Sequence, residues 1–174
     1  MLLTVAGCSS TATRVITYAP TKVPANAQRA PGSCWTHSIS APGRADAWRC
    51  AVANQIEDPC FELAGSPYLL CNSFPAAPSR SQPVLIELTL PLPPQPRDAI
   101  TAPQPWLIEL STGAFCRPFT GIRPPRPNGT LTTYACSDRS TVFGSLHRAR
   151  QWTAQVASQP GQALHTVTLR AVWQ

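Results

Sequence analysis

The sequence predicts a mainly β protein, a small antiparallel barrel or sandwich of six to eight short strands with one helix. Three features lead there. The 20 prolines interrupt the chain too often for long helices, because each fixes φ and removes a backbone donor. Apolar and polar residues alternate at period two in several short runs, the pattern of half-buried strands. Six of the seven cysteines lie downstream of residue 30 and form an even set, as in a disulfide framework of an exported domain. A chain of 174 residues is ample for one core, and no run approaches the ~18 apolar residues of a spanning helix.

At the N-terminus, Val5-Ala6-Gly7-Cys8-Ser9-Ser10 reads as a lipoprotein processing site. Small apolar residues before a cysteine, then small polar ones, suit a signal peptidase acting beside a thiol destined for diacylglycerol. Residues 1–7 have no basic residue and a very short apolar run, so they read as a truncated signal whose start lies upstream. Residues 8–30, rich in Thr, Ala and Pro, are expected to be an extended, lipid-anchored tether. Thr11 to Tyr18 could form a strand, but nothing around it points to packing. A single disulfide-bonded β domain is expected over residues 31–174.

With Cys8 set aside as the lipid carrier, Cys34, Cys50, Cys60, Cys71, Cys116 and Cys136 remain. Six thiols allow 15 connectivities. Zinc sites favour Cys-x-x-Cys pairs, which the chain lacks, so disulfides are the expected use. The expected pairing is nearest-neighbour: Cys34 with Cys50, Cys60 with Cys71, Cys116 with Cys136. Each such loop is worth about 3 kcal/mol in the chain-entropy model.

Among the elements, Arg44 to Gln55 is the one good helix candidate. Trp48, Val52 and Ile56 recur at spacing four with Ala47 and Ala51 beside them, Asp46 would sit in the first turn, and Pro59 would bar continuation. Period-two runs then mark strands at Pro83 to Leu90, Trp106 to Leu110, Ala114 to Phe119, Leu131 to Cys136, Gln151 to Ala157 and His165 to Trp173. Ser111-Thr112-Gly113 makes Trp106 to Phe119 a hairpin, and Asn128-Gly129 supplies a second turn signal. Pro91 to Pro105, which includes Asp98, is too rich in proline for a strand and reads as a rigid crossover or a polyproline docking segment. Asn128-Gly129-Thr130 also matches a glycosylation sequon, which the turn explains without a sugar.

Fourteen Lys plus Arg against eight acids give a formal charge of +6. The cations are scattered, Lys22 is the only lysine, and the tightest group, Arg117, Arg123 and Arg126, lies on a Pro-rich loop. No basic stripe with interleaved aromatics occurs, so nucleic acid is not an expected partner. Anionic envelope polymers or lipid headgroups fit better.

Catalytic patterns are thin. Gln28 with Gly32-Ser33-Cys34-Trp35 looks like the nucleophile segment of papain-like cysteine proteases. In those enzymes the cysteine opens a long helix that lowers the thiol pKa, whereas Ser40-Ala41-Pro42-Gly43 breaks any helix here. His37, His147 and His165 have no metal-ligand spacing, Glu57-Asp58 reads as a turn, and no Gly-x-Ser-x-Gly elbow, Walker loop or dinucleotide fingerprint occurs. The five tryptophans could stack on sugars, but each inward strand pattern already claims one for the core. No catalytic residue, metal or cofactor is assigned.

Cys34-Trp35-Thr36, Arg44-Ala45-Asp46-Ala47-Trp48-Arg49-Cys50, Asp58-Pro59-Cys60-Phe61, Gln104-Pro105-Trp106, Thr112-Gly113 with Cys116, and Tyr134-Ala135-Cys136 together resemble an uncharacterised exported six-cysteine domain. That domain occurs in lipoproteins and receptor-like membrane proteins of GC-rich bacteria, chiefly actinobacteria. The likeness covers Gly32 to Trp173 and implies an extracytoplasmic, disulfide-bonded domain with no active site to carry over. The expected function is therefore a non-enzymatic envelope lipoprotein presenting a rigid module that binds an envelope protein, a glycan or a small envelope molecule. The alternative is a hydrolase acting on wall polymers or peptides, which would need His37, Glu57 and Asp58 to line one open cleft. A protease inhibitor is a lesser possibility, resting on the disulfides and the Pro-rich loop.

Overall fold

The structure, a computed structural model, describes residues 12–73, 82–94, 104–121, 129–159 and 161–174. It is all β. Among the described residues there are twelve strands, eleven of them in two closed barrels of five and six with the first paired alongside, which is why the count exceeds the six to eight expected of one.

The first barrel is a meander of β2 (Gln28–His37), β3 (Ala47–Val52), β4 (Gln55–Glu62), β5 (Leu69–Cys71) and β6 (Val84–Leu88). In an odd-numbered meander the first and last strands run the same way, so the closing pair is parallel, from Gln28 opposite Val84 to Gly32 opposite Leu88. Gly32 is required there: a Cβ would meet the Ala51 carbonyl oxygen at 2.8 Å.

The second barrel comprises β7 (Leu107–Leu110), β8 (Phe115–Pro118), β9 (Thr132–Cys136), β10 (Thr141–His147), β11 (Thr153–Ala157) and β12 (His165–Trp173). Six strands close antiparallel, with Leu169 to Trp173 of β12 against Leu110 to Leu107 of β7. Gly113, at φ 89°, turns the β7–β8 hairpin, and the Leu110 amide donates to the Ala114 carbonyl at 2.9 Å.

Residues 44–55 are not a helix; no helix occurs among the described residues. They form β3, a turn with Ala53 at φ 52°, and the start of β4. Positions 48 and 52 suit either period. Cys50, 0% exposed, and Ile56, 58% exposed, decide for period two, because a helical stripe would bury Ile56. Pro59 lies inside β4, where Asp58 and Pro59 together oppose Arg49 between the Trp48–Cys60 and Cys50–Glu57 pairs. A bulge of this kind tolerates the missing amide donor.

The expected tether is also largely built into the fold. β1 (Arg14–Ile16) pairs in parallel with Ala171 to Trp173 of β12, taking over the edge that β11 leaves after Thr168. The Thr13 hydroxyl closes the gap, donating to the Leu169 carbonyl at 2.8 Å and accepting from the Trp152 amide at 2.7 Å. Gln28 to Ala30 belong to β2. The first barrel is thus inserted between β1 and β7 of the second.

The disulfides Cys34–Cys50, Cys60–Cys71 and Cys116–Cys136 each join residues directly opposed on neighbouring antiparallel strands. Two of them fill the first core together with Trp48, Val52, Leu69 and Ile86. The second core packs Ile108, Leu110, Tyr134, Val142, Trp152, Val156 and Leu169 around Cys116. A third cluster joins the barrels, with Ala41, Ala47 and Phe61 of the first against Trp106, Leu107, Ala171 and Trp173 of the second. Tyr18, on the segment crossing between barrels, stands edge-on to Phe61 at 5.0 Å and Trp106 at 5.4 Å.

Candidate functional site at the barrel junction

Where the barrels meet, the loop after β2 and residues of β8, β9 and β10 line a cleft of ≈ 570 Å³, within the usual range for small-molecule sites. The loop is held rigidly. The Ser38 hydroxyl donates to the Asp58 carboxylate and accepts from the amides of Ala41 at 2.8 Å and Ser40 at 3.1 Å. Asp58 also accepts from the Ile39 amide at 3.3 Å and pairs with Arg49 at 3.3 Å. So fixed, the loop presents Ile39, 48% exposed, and Pro42 to the cleft.

The opposite wall is irregular strand. Register breaks on β10 between Phe143 and His147, and on β9 around Thr133; Gly144 takes φ 68° and its carbonyl accepts from the Thr133 hydroxyl at 2.9 Å. Bulges re-aim side chains, and here Ser145, Leu146 and Arg148 reach the cleft. Its floor is Gln104 and Pro105, tied down by the Gln104 amide donating to the Pro42 carbonyl at 3.4 Å and the Tyr134 hydroxyl donating to the Pro105 carbonyl at 2.9 Å. Burial pushes the Tyr134 phenol up to about 12, so it is neutral in any physiological medium. Arg148 is the one charged residue of the described lining, its guanidinium 5.0 Å above the Trp152 ring.

No protein family, curated protein or solved structure matches the chain. The reading of the site therefore rests on its chemistry. The described lining holds prolines, an isoleucine, a leucine, hydroxyls, an amide and one cation, with no carboxylate, imidazole or thiol.

The residues raised as catalytic candidates stand elsewhere. His37 stacks on Trp48 with ring centroids 4.3 Å apart. Glu57 accepts from Asn72 at 2.7 Å, and Asp58 is committed to the β2–β3 loop. His147 pairs with Thr153 and His165 with Val156 in the second barrel. None of the five lines the cleft. Cys34 is disulfide-bonded and sits in a strand, so the papain-like pattern has neither thiolate nor helix. Among the described residues no group of His, Cys, Asp and Glu could hold a metal ion.

Four tryptophans, Trp48, Trp106, Trp152 and Trp173, are buried, while Trp35 is 48% exposed beside Arg49. Cys8, Asp98, Arg123, Arg126 and Asn128 lie outside the described residues. No described helix is long and apolar enough to cross a membrane. The three disulfides are compatible with an extracytoplasmic domain.

The cleft itself was missed at the sequence level. Its signals were present only as Pro42, Pro105 and Pro118, which scatter over 76 positions of the chain and converge only through barrel closure.

Proposed function

We propose that this chain is a non-enzymatic cell-envelope lipoprotein, anchored to a bacterial membrane through lipid on Cys8, and that its double barrel binds an envelope protein or glycan in the junction cleft. It would then belong with the six-cysteine exported domains of actinobacterial lipoproteins that it resembles. One observation carries the binding reading: two barrels with disulfide-bridged strands leave a cleft whose described lining has recognition groups, and whose hydroxyls have no carboxylate, imidazole or thiol beside them in that lining. Rigid walls lower the ordering cost of binding. Exposed apolar surface beside a single cation suits a ligand with an apolar stretch and an anionic group.

The test joins both halves of the proposal. The chain is expressed behind a functional export leader with a labelled fatty acid, and a photo-crosslinking residue replaces Ser145 or, as control, Thr112 on the far hairpin. Label should enter the parent chain and not Cys8→Ser, and a discrete adduct should form from position 145 alone. Unlabelled parent chain would contradict the anchor, and equal adducts from 112 and 145 would contradict the cleft.

A further inference from the structure

The two barrels differ in charge. The described part of the second barrel with β1 carries six arginines against Glu109 and Asp138, a net of +4; described residues 17–94 carry four cations against five carboxylates, a net of −1. The excess gathers where the N-terminal segment enters the second barrel. The Thr13 amide donates to the Arg150 carbonyl at 3.0 Å, placing the β10–β11 loop, with exposed Arg148 and Arg150, beside the point from which the chain leads back to Cys8. Next to it, Arg14 and Arg170 share one carboxylate, Glu109, at 3.7 and 2.9 Å, so one positive charge there is uncompensated.

We propose that this face of the second barrel, formed by Arg14, Arg148 and Arg150, docks on the anionic lipid headgroups of the membrane that holds the anchor. The inference deepens the lipoprotein reading and rests on it for the source of the surface. Thr13 stands five residues after Cys8, a span of at most about 18 Å, against a Debye length of about 8 Å in physiological salt. A lipid on Cys8 would let these arginines settle within a Debye length of the headgroups and hold them near the leaflet, whereas a tether running to residue 30 would leave up to about 80 Å of slack. Attraction of this kind is worth about fivefold in partitioning per arginine near an anionic leaflet. Arg148 lies both on this face and at the cleft, so docking would orient the cleft mouth toward the membrane plane and favour ligands close to it.

The test uses the full chain as Cys8→Ser, which cannot be acylated, so docking and acylation fail independently. Co-sedimentation is measured with vesicles of phosphatidylcholine alone and of phosphatidylcholine mixed with phosphatidylglycerol. The expected result is binding to the anionic vesicles only, lost between about 0.1 and about 1 M salt as the Debye length contracts from ~10 to ~3 Å, and weakened at least tenfold in R148E/R150E. The matched K22E/R29E variant, altered on the first barrel, should bind as the parent does, and circular dichroism should show all variants folded. No binding to phosphatidylglycerol vesicles, or equal loss in both double variants, would overturn the proposal. So would release of the chain from anionic vesicles by a soluble glycerol-phosphate polymer at equal phosphate, which would make a wall polymer the occupant.

Discussion

Arg44 donates a 2.8 Å hydrogen bond from Nη1 to the main-chain carbonyl of Gln174, joining a loop of the first barrel to the end of the last strand of the second. Its Nε and Nη2 grip Asp46 at 2.7 and 2.6 Å, and Nη2 also reaches the Tyr18 carbonyl at 2.6 Å. The planar fork of an arginine suits such a bidentate pair, and the Phe61 ring lies 5.1 Å beneath it. The three backbone segments that meet at the junction are thus tied by one side chain that is only 9% exposed.

Arg44→Ala should accordingly destabilise the protein by about 2–4 kcal/mol, since it strands Asp46 and two carbonyls. Arg44→Lys should recover only part, because a lysine cannot make the fork. Urea unfolding midpoints at constant slope measure both.

Phe61→Ala should cost about 3–5 kcal/mol, the range for deleting a buried aromatic side chain. Phe61 is 1% exposed and touches Tyr18 and Trp106, so the loss falls on the contact between barrels. Calorimetry should show a lowered midpoint. A Tm equal to that of the parent would show that the third cluster does not hold the barrels together.

Reduction should unfold the chain. Three bridges at about 3 kcal/mol each approach the 5–15 kcal/mol net stability of a typical domain. Mass spectrometry after alkylation without reductant should find none of the six cysteines modified. Native circular dichroism persisting in excess reductant would contradict the role given to the bridges.

Alkali should weaken the fold through Tyr134. Its folded-state phenol titrates near 12 against about 10 when unfolded, so the folded chain holds the proton longer. The stabilisation is complete below pH ~10 and is lost as pH rises through about 12, by roughly 2–3 kcal/mol in all. Burial raises Tyr18 in the same direction. Tyr134→Phe should flatten most of this dependence and cost about 1 kcal/mol at neutral pH for the lost bond to Pro105, as read from unfolding curves across pH 9–13.

The β character and most strands of the second barrel were readable from alternation, because Ile108 and Leu110 of β7, and Val167 and Leu169 of the nine-residue β12, recur at period two and face one core. The first barrel was harder. Its inward side is made largely of cystine, so Cys34, Cys50, Cys60 and Cys71 read as staples rather than as the apolar face they form, and β3 passed for a helix because Trp48 and Val52 satisfy both periods. β5 is three residues long, too short for any period. A strand within Thr11 to Tyr18 was legible, and β1 lies there, but its packing was not, because its partner lies 157 residues downstream and a parallel pairing that distant leaves no local trace. The cleft, for the same reason, exists only once both barrels close on each other.

The most direct test of the double barrel as one rigid body is a distance distribution between spin labels carried by unnatural amino acids at Ile56 of the first barrel and Thr112 of the second, both exposed. A single narrow peak is predicted for the parent chain, broadening in Arg44→Ala. A broad or two-peaked distribution in the parent would mean that the barrels move independently and that the junction cleft is not preformed.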